Sequence, residues 1–138
     1  MAALPRVCVI GAGVSGLTAC RALHRRHIPF VCFESSDDVG GIWYFRNPNG
    51  RSSAYRSLHI NISRPSISFK EFPMSAADYP DFPHHTQVRQ YLRDYARHFG
   101  LLRHIRFNTT VERIQALNNL ADPRALRIGA QLVIPPPF

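Results

Sequence analysis

The pattern of apolar and polar residues changes twice near the start of the chain. Residues 6–11, RVCVIG, form a short β-branched apolar run that ends at a glycine, as a buried parallel strand does. From Val14 to about His27 the apolar residues recur at helical spacing, and arginines cluster in the second half, where cations suit the negative end of a helix. Pro29 ends this helix, and residues 30–34, FVCFE, form a second apolar strand. The pattern predicts a strand–helix–strand unit in an α/β fold.

The remainder of the chain is less regular. Residues 35–83 contain many glycines, prolines and aromatic residues, so we expect packed irregular structure with short helical turns. Residues 86–99 return to a strong helical period, with Thr86 as the expected N-cap and Gly100 at the C-terminal end. Residues 105–111, IRFNTTV, are predicted to form a third strand.

Composition describes a single basic domain. The chain has 138 residues, 45% of them hydrophobic, which is enough to bury a core. Its formal net charge is +8, yet the arginines are scattered along the sequence and only Arg25 and Arg26 form a doublet. A nucleic-acid site normally concentrates its cations on one face. We therefore expect a solvated basic surface and an anionic cofactor, and no nucleic-acid partner.

The cysteines and the hydropathy indicate where the protein works. Cys8, Cys20 and Cys32 form no C-x-x-C pair, and an odd number cannot pair completely. They are expected to be buried thiols in a reducing compartment rather than a disulfide framework. No stretch approaches the ~20 apolar residues of a transmembrane helix. The sequence predicts a soluble cytoplasmic protein, with membrane association through an absent C-terminal part left open.

Three glycines lie between the first strand and the first helix. Gly11, Gly13 and Gly16 make the pattern G-x-G-x-x-G, directly after a strand and at the start of a helix. In this context the first glycine allows the tight turn, the second allows close approach to a pyrophosphate, and the third allows the helix to pack against the strand. The helix N-terminus then faces the phosphates. The pattern predicts a Rossmann-like βαβ dinucleotide-binding domain, the alternative being a glycine-rich turn in a generic α/β fold.

An acidic residue closes the second strand. Glu34 follows Gly11 by 23 residues, the distance at which a carboxylate accepts hydrogen bonds from an adenosine ribose. Asp37 and Asp38 lie close by, and three carboxylates would repel the 2′-phosphate of NADP. Glu34 therefore favours NAD or FAD at this site, unless it is an ordinary solvated acid at the end of a strand.

The segment after Glu34 distinguishes these two cofactors. An NAD-binding fold would continue with another amphipathic crossover helix. Residues 38–50, DVGGIWYFRNPNG, contain the pair Gly40-Gly41, a proline and an Asn-Gly turn, which no long helix tolerates. The glycine pair suits close backbone approach to a larger ligand. The segment favours FAD and disfavours an NAD-linked oxidoreductase domain.

At this point the sequence resembles the flavin-containing monooxygenases, and more loosely the Baeyer–Villiger and N-hydroxylating enzymes. The similarity covers about residues 5–113, and it is most specific where E-x-S-x-D-x-G-G-x-W precedes the Asn-x-Ser and E-F-P segments. The segments that follow the family's order and spacing are RVCVIGAGVSGL, CFESSDDVGGIW, YRSLHINIS, KEFPM and YLRDYARHFGLLRHIRFNTTV.

The resemblance implies a set of FAD contacts. It places the glycine loop on the cofactor, Glu34 at the adenosine ribose, Ile42 and Trp43 against the cofactor through backbone and ring, and Val111, at the end of its strand, near the adenine. The residues assigned to FAD in this way are Gly11, Ala12, Gly13, Val14, Ser15, Gly16, Glu34, Gly41, Ile42, Trp43, Asn61 and Val111.

The resemblance also implies a reaction. Asn61 matches the family's active-site asparagine, which lies beside the isoalloxazine and the nicotinamide. The chemistry it implies is reduction of FAD by NADPH, capture of O₂ as a C4a-hydroperoxide and oxygen transfer to a soft nitrogen or sulfur nucleophile, such as an amine or thioether. Most of that chemistry belongs to the cofactor. An amide such as Asn61 can hydrogen-bond a reacting group without itself titrating.

Other chemically interesting residues favour structural roles. The pair His84-His85 has no further ligands at metal spacing, so we expect a helix-entry loop and no metal site. His59, His98 and His104 are expected at the surface or in packing, and Cys32 in the core.

Parts of a complete family member are missing from the sequence. There is no second glycine fingerprint for NADPH, since residues 128–130, IGA, lack the later glycine. We expect residues 5–115 to be the N-terminal part of a truncated FAD-binding domain, and residues 116–138 to be a divergent tail outside the family fold. The fragment alone is expected to be inactive. The alternative is a non-catalytic remnant or a module that only binds FAD.

Overall fold

A three-stranded parallel sheet forms the centre of the fold. The structure, a computed structural model, describes residues 7–119. The strands are β1 (Val7–Ile10), β2 (Phe30–Phe33) and β3 (Ile105–Arg106), and they lie side by side in that order. Val7 pairs with Phe30, and Cys32 pairs with Ile105. Because the strands are parallel, their carboxyl ends meet at one edge of the sheet, where ligands of open α/β folds bind.

Within the described range, four α-helices accompany the sheet. The two long helices agree closely with the helical periods predicted at residues 14–27 and 86–99, and residues 35–83 contain only short helical turns, as predicted. The helix at residues 111–117 was not predicted. Single 3-10 turns lie at Gly41–Trp43 and Leu102–His104. The α-helices are α1 (Val14–Arg25), α2 (Arg64–Ile67), α3 (His85–His98) and α4 (Val111–Leu117).

The core lies between the sheet, α1 and α3. Leu17 and Cys20 of α1 are buried together with Cys32 of β2, and α3 adds an apolar face. Gly100 ends α3 at φ +63°, a left-handed conformation that favours glycine. The core residues of α3 are Tyr91, Leu92, Tyr95 and Ala96. The strand–helix–strand prediction and the helical prediction for residues 86–99 are both confirmed.

The third strand is much shorter than predicted. β3 stops at Arg106, so the prediction of a strand over residues 105–111 is wrong beyond its second residue. Asn108 adopts a positive φ of 51°, which turns the chain out of the extended conformation. Thr110 then caps a new helix, because its side chain accepts a hydrogen bond from the Arg113 amide. Val111 is therefore the first residue of α4 and not the last of a strand.

Two further predictions are corrected. The N-cap of α3 is His84 rather than Thr86, and His84 and Gln87 form a reciprocal capping box. Cys8 is exposed, whereas Cys20 and Cys32 are buried as expected. Val9 packs against the core, and alternation along β1 places Cys8 on the opposite face of the sheet.

Candidate functional site

The glycine loop lies at the carboxyl end of β1, where it joins α1. The Gly11 amide donates a 2.7 Å hydrogen bond to the Phe33 carbonyl, and Gly11 has φ +92°. A Cβ atom on Gly16 would lie 1.8 Å from the carbonyl oxygen of Gly11. No side chain fits at that position. Gly16 therefore allows the first turn of α1 to pack directly on the end of the strand, as the fingerprint predicts.

The second glycine pair packs against this loop. A Cβ atom on Gly41 would lie 2.9 Å from the Cα atom of Gly13, and the Gly40 amide donates to the Ala12 carbonyl at 3.1 Å. The sequence interpretation attributed Gly40-Gly41 to close approach of a ligand. In the structure the group that comes close to Gly41 is the backbone of the glycine loop itself. The pair thus brings Ile42 next to the loop.

The N-terminus of α1 has no side-chain cap. Gly13 is its N-cap residue, no side chain accepts hydrogen bonds from the first amides, and the first turn contains no acidic residue. The first amides of a helix have no partner within the helix, and they carry the positive end of its dipole. Within residues 7–119 this helix end therefore presents unneutralised donors, which is the arrangement that binds phosphates elsewhere.

Glu34 is held rigidly beside the loop. It is only 5% exposed. Its Oε2 atom accepts a 2.6 Å hydrogen bond from the Ala12 amide. Its Oε1 atom accepts from the Ser36 amide at 2.8 Å, from the Ser36 hydroxyl at 2.9 Å and from the Ser35 hydroxyl at 3.3 Å. A carboxylate has about four acceptor sites, two on each oxygen. Oε2 therefore keeps capacity for a further donor such as a ribose hydroxyl.

The two aspartates differ in their surroundings. Asp38 forms ion pairs with Arg89 at 3.0 Å and with Arg93 at 3.1 Å, so its charge is compensated. Two cations from α3 therefore face Asp38 and offset its part in the predicted repulsion of a 2′-phosphate. Asp37 is exposed and accepts a 3.0 Å hydrogen bond from the Tyr44 hydroxyl. Any repulsion of a 2′-phosphate is left to Glu34 and Asp37.

Apolar side chains stay uncovered around the loop. Ile10 is 58% exposed and Val14 39%, and they lie on either side of the glycine turn. Ile42 is 59% exposed and follows Gly41 directly. Val111 is 40% exposed, and the Thr109 amide, two residues earlier, donates to the Glu34 carbonyl at 2.9 Å. The structure thus brings Val14, Ile42 and Val111 to the same edge of the sheet, although Val111 arrives there on a helix.

Two clefts lie away from the glycine loop. One of about 270 Å³ is lined in part by Trp43, His85 and Arg89, and another of about 340 Å³ lies between α1, α3 and the segment around Phe69. The glycine loop lines neither of them, although Trp43, a predicted cofactor contact, lines the first. The loop, Glu34 and the exposed apolar side chains around it form the predicted cofactor surface.

Asn61 lies on a different segment. It is exposed, and its side chain makes no hydrogen bond within residues 7–119. The Ile60 amide donates to the Pro83 carbonyl at 3.0 Å, which fastens this segment to the entry of α3. His85 in turn lies edge-on to the ring of Phe45, two residues beyond Trp43, at 5.3 Å. The Asn61 segment and the segment that follows Trp43 thus both pack against the start of α3.

Sequence reasoning missed several residues that shape this site. Ser35 and Ser36 were not singled out, yet both hydroxyls hold the Glu34 carboxylate. The available signal was general, since serine side chains often form hydrogen bonds with groups close to them in the chain. Arg89 and Arg93 were also missed, because they lie more than fifty residues from the aspartate they neutralise.

Burial of His85 makes the fold sensitive to acid. Burial lowers the pKa of His85, the neighbouring His84 lowers it further, and the carbonyls of Arg56 and Trp43 oppose both effects. The unfolded chain therefore binds a proton more readily than the folded one. This contribution to stability is complete above about pH 6.5, the ordinary value for histidine, and is lost as the pH falls towards the lowered value.

We expect the free energy of unfolding to be lower at pH 5.0 than at pH 7.5, and urea unfolding at both values measures it. His85→Phe keeps an aromatic ring and removes the titration, so its stability should change less between the two pH values. His98→Asn, an exposed position on the same helix, is the matched control and should behave like the original chain. Equal pH dependence in the His85→Phe and original chains would contradict the assignment.

The described residues contain neither a membrane-spanning helix nor a metal-binding cluster. In the part of the chain that the structure describes, no helix combines the length and apolar character that crossing a membrane requires. Across the same 7–119 range, no group of three or more His, Cys, Asp or Glu side chains is arranged to hold a metal ion. His84 and His85 lie at the start of α3.

Comparison with known proteins agrees with this geometry. The chain is 47% identical over 108 residues to flavin-containing monooxygenase 5 of Rattus norvegicus, a match that covers 77% of this chain and 20% of the relative. It is 42% identical over 111 residues to dimethylaniline monooxygenase (N-oxide-forming) 4 of Rattus norvegicus, covering 79% of this chain and 20% of the relative. The chain therefore spans about a fifth of the length of these curated relatives.

Solved structures share the fold. S-allyl-L-cysteine S-oxygenase from Allium sativum superposes with a TM-score of 0.66 at 28% identity, covering 78% of this chain and 29% of that one. Oxidised steroid monooxygenase bound to NADP superposes with a TM-score of 0.63 at 25% identity, covering 75% and 19%. The family described as flavin-binding monooxygenase-like matches residues 4–125. Because that match covers most of the sequence and agrees with the fold, this chain belongs to the flavin-binding monooxygenase-like family.

Proposed function

We propose that this chain binds FAD and supplies the cofactor site of an NADPH-dependent monooxygenase. The observation that supports it most directly is the junction of the glycine loop with Glu34. A helix N-terminus without a cap lies beside a buried carboxylate, and the Ala12 amide joins the two at 2.6 Å. The helix N-terminus can bind the pyrophosphate of an adenosine dinucleotide, and the adjacent Glu34 carboxylate can accept a hydrogen bond from its ribose.

Each predicted residue then has a defined task. The amides of the loop from Gly11 to Gly16 bind the pyrophosphate, and Oε2 of Glu34 accepts from the ribose. Val14, Ile42 and Val111 would cover apolar parts of the cofactor, which removes their exposed surface from water. The backbone and ring of Trp43 would contact it further along.

The role proposed for Asn61 is to donate a hydrogen bond at the flavin ring. Its amide is exposed and has no partner within residues 7–119, so it is free to make one. When bound, FAD would supply the redox chemistry: reduction by NADPH, activation of O₂ and oxygen transfer to a soft nitrogen or sulfur nucleophile. The relatives named above as an N-oxide-forming enzyme and an S-oxygenase support amines and thioethers as the substrate class.

The test uses the whole 138-residue chain. We expect the purified protein to bind FAD in a fluorescence-quenching titration, with ADP competing because it carries the adenosine and pyrophosphate of FAD without the flavin. Asn61→Ala should weaken FAD binding by roughly 2- to 10-fold, the value of one hydrogen bond, and leave ADP binding unchanged. Absence of binding by both ligands would refute the proposal. Equal losses for FAD and ADP would refute the role of Asn61.

A second measurement separates binding from catalysis. NADPH oxidation is followed in the presence of a tertiary amine or a thioether. Turnover would show that the chain is a complete enzyme on its own. FAD binding without turnover would show that it is a binding module, or one part of a larger catalytic unit.

A further inference from the structure

Arg89 of α3 contacts residues 38–44 at three points. Its Nη2 atom donates to Oδ2 of Asp38 at 3.0 Å, at the start of that segment. A Cβ atom on Gly40 would lie 3.1 Å from the Cγ atom of Arg89, so the arginine stem passes directly over the Gly40 backbone. The Cζ atom of Arg89 lies 3.3 Å from the centroid of the Tyr44 ring, at the end of the segment. One side chain thus contacts the segment from its first residue to its last.

The backbone between these points forms the 3-10 turn Gly41–Trp43, here called the Trp43 turn. The Trp43 amide donates to the Gly40 carbonyl at 3.1 Å, which closes the turn. The Tyr44 hydroxyl donates to Asp37 at 3.0 Å, so the residue that follows the turn bonds back to the residue before the segment. The position of Tyr44 and that of the Trp43 turn are therefore linked.

The other side of the Trp43 turn lies against the glycine loop. The Gly40 amide donates to the Ala12 carbonyl at 3.1 Å, and a Cβ atom on Gly41 would lie 2.9 Å from the Cα atom of Gly13. These contacts involve backbone atoms alone. The Trp43 turn is thus packed between the glycine loop and α3, with Arg89 on the side of the helix.

Arg93 resembles Arg89 in charge but not in its contacts. It lies one helical turn later in α3 and pairs with the same Asp38 oxygen at 3.1 Å. Within residues 7–119 this pair is its one hydrogen bond or ion pair. The two arginines therefore share the compensation of Asp38, whereas in the same range only Arg89 stacks on Tyr44.

We propose that Arg89 is a positioning residue, which holds the Trp43 turn against the glycine loop through its stack on Tyr44. A cation over an aromatic ring gains most where the pair is withdrawn from water, and the Arg89 side chain is 24% exposed. The planar guanidinium stacks on the ring and bonds to Asp38 at the same time, a geometry that an ammonium group does not reproduce. The consequence for cofactor binding rests on the proposed function, since it requires the Trp43 turn to contact FAD. The position of the turn does not.

Trp43 is the only tryptophan of the chain, so its fluorescence reports on the turn directly. It is partly buried against the core. In the whole chain, we expect Arg89→Gln to raise the acrylamide quenching constant of Trp43 about twofold or more, because loss of the stack exposes the indole. Arg93→Gln is the matched control. It removes the same charge and the same kind of bond to Asp38 but keeps the stack, so the constant should not change.

Variants of Tyr44 test the stack from its other partner. Tyr44→Leu removes the ring and should raise the quenching constant as Arg89→Gln does. Tyr44→Phe keeps the ring and loses only the bond to Asp37, so it should leave the constant unchanged. The double variant Arg89→Gln/Tyr44→Leu should give the same constant as either single variant, because both remove one shared contact.

Cofactor titration tests the consequence for binding. Arg89→Gln should weaken FAD binding about three- to tenfold, because the Trp43 turn no longer meets the cofactor in its bound position, and should change ADP binding less than about twofold. ADP is bound by the glycine loop and Glu34 alone. A general loss of structure would weaken both ligands equally, so the difference between them identifies positioning.

Three results would overturn the proposal. The first is an unchanged quenching constant in Tyr44→Leu, which decides the matter even if Arg89→Gln does not fold. The second is an equal rise in Arg93→Gln and Arg89→Gln, which would show that the charge of Asp38 and not the stack holds the turn. The third is unchanged FAD binding in an Arg89→Gln chain whose Trp43 is more exposed.

The same measurements keep the two proposals distinct. A raised quenching constant in Arg89→Gln, together with an original chain that binds neither FAD nor ADP, would refute the proposed function. It would still support the role of Arg89 in holding the Trp43 turn.

Discussion

Gly16→Ala is expected to prevent the chain from reaching its folded state. The new Cβ atom would lie 1.8 Å from the Gly11 carbonyl oxygen and 2.8 Å from its carbonyl carbon. Both are backbone atoms, so no flexible side chain can move aside. The first turn of α1 would have to separate from the end of β1. Overpacking a core typically costs about 1–3 kcal/mol, and a clash with backbone exceeds that range. Circular dichroism and urea unfolding measure the loss.

Two matched variants separate the clash from other effects of losing a glycine. Gly11→Ala meets no atom within 4 Å but must adopt φ +92°, so it should cost only about 1–3 kcal/mol of backbone strain. Gly13→Ala keeps φ −80° and makes an ordinary 3.4 Å contact with the Cα atom of Gly41. It should fold with nearly normal stability. A Gly16→Ala chain as stable as Gly13→Ala would show that α1 does not pack on the strand as the structure describes.

Local periodicity was sufficient to predict the elements on which this loop is built. The apolar runs around Cys8 and Cys32 and the helical spacing between them determine a strand, a helix and a strand, because each element is encoded within a few neighbouring residues. The roles of Gly11 and Gly16 followed from their place between those elements. The exposure of Cys8 could not be predicted in the same way, since it depends on which face of the sheet is covered.

Contacts between distant segments account for most of what the sequence did not show. Asp38 was expected to repel phosphate, and only the fold brings Arg89 and Arg93 within 3.1 Å of it. The end of β3 is different, because its signals were local. Asn108 readily adopts positive φ and Thr110 is a good N-cap, so the helix that starts at Val111 was predictable from turn chemistry.

Replacing Glu34 is expected to have the second largest effect, on both stability and cofactor binding. Glu34→Ala would leave the buried amides of Ala12 and Ser36 without their acceptor. Each unsatisfied buried donor costs about 1–3 kcal/mol, so we expect a loss of roughly 3 kcal/mol. For a chain of this size that corresponds to a fall in Tm of about 12 °C. The glycine loop would also lose the bond that fixes Ala12 beside the helix N-terminus.

Glu34→Gln separates the effect of the carboxylate charge from the effect of the side-chain shape. The amide oxygen can replace Oε1 and accept from Ser36, but the NH₂ group then faces the Ala12 amide, two donors in contact. The reversed rotamer restores the Ala12 bond and creates the same conflict at Ser36. We therefore expect Glu34→Gln to fold with reduced stability and to bind FAD and ADP at least about tenfold more weakly, since a charged hydrogen bond is worth roughly 1.5–3 kcal/mol.

Asp37→Asn provides the matched control, because Asp37 is a nearby exposed acid whose side chain, among residues 7–119, bonds only to the Tyr44 hydroxyl. It removes the same unit of charge from the same surface without unpairing a backbone amide. If general electrostatics governed binding, both variants would change the affinity for ADP by a similar factor. If the structure is correct, Asp37→Asn should change it by less than about twofold, because exposed charges interact weakly through water. Equal losses in the two variants would show that Glu34 acts as a distant charge and not as an acceptor held at the loop.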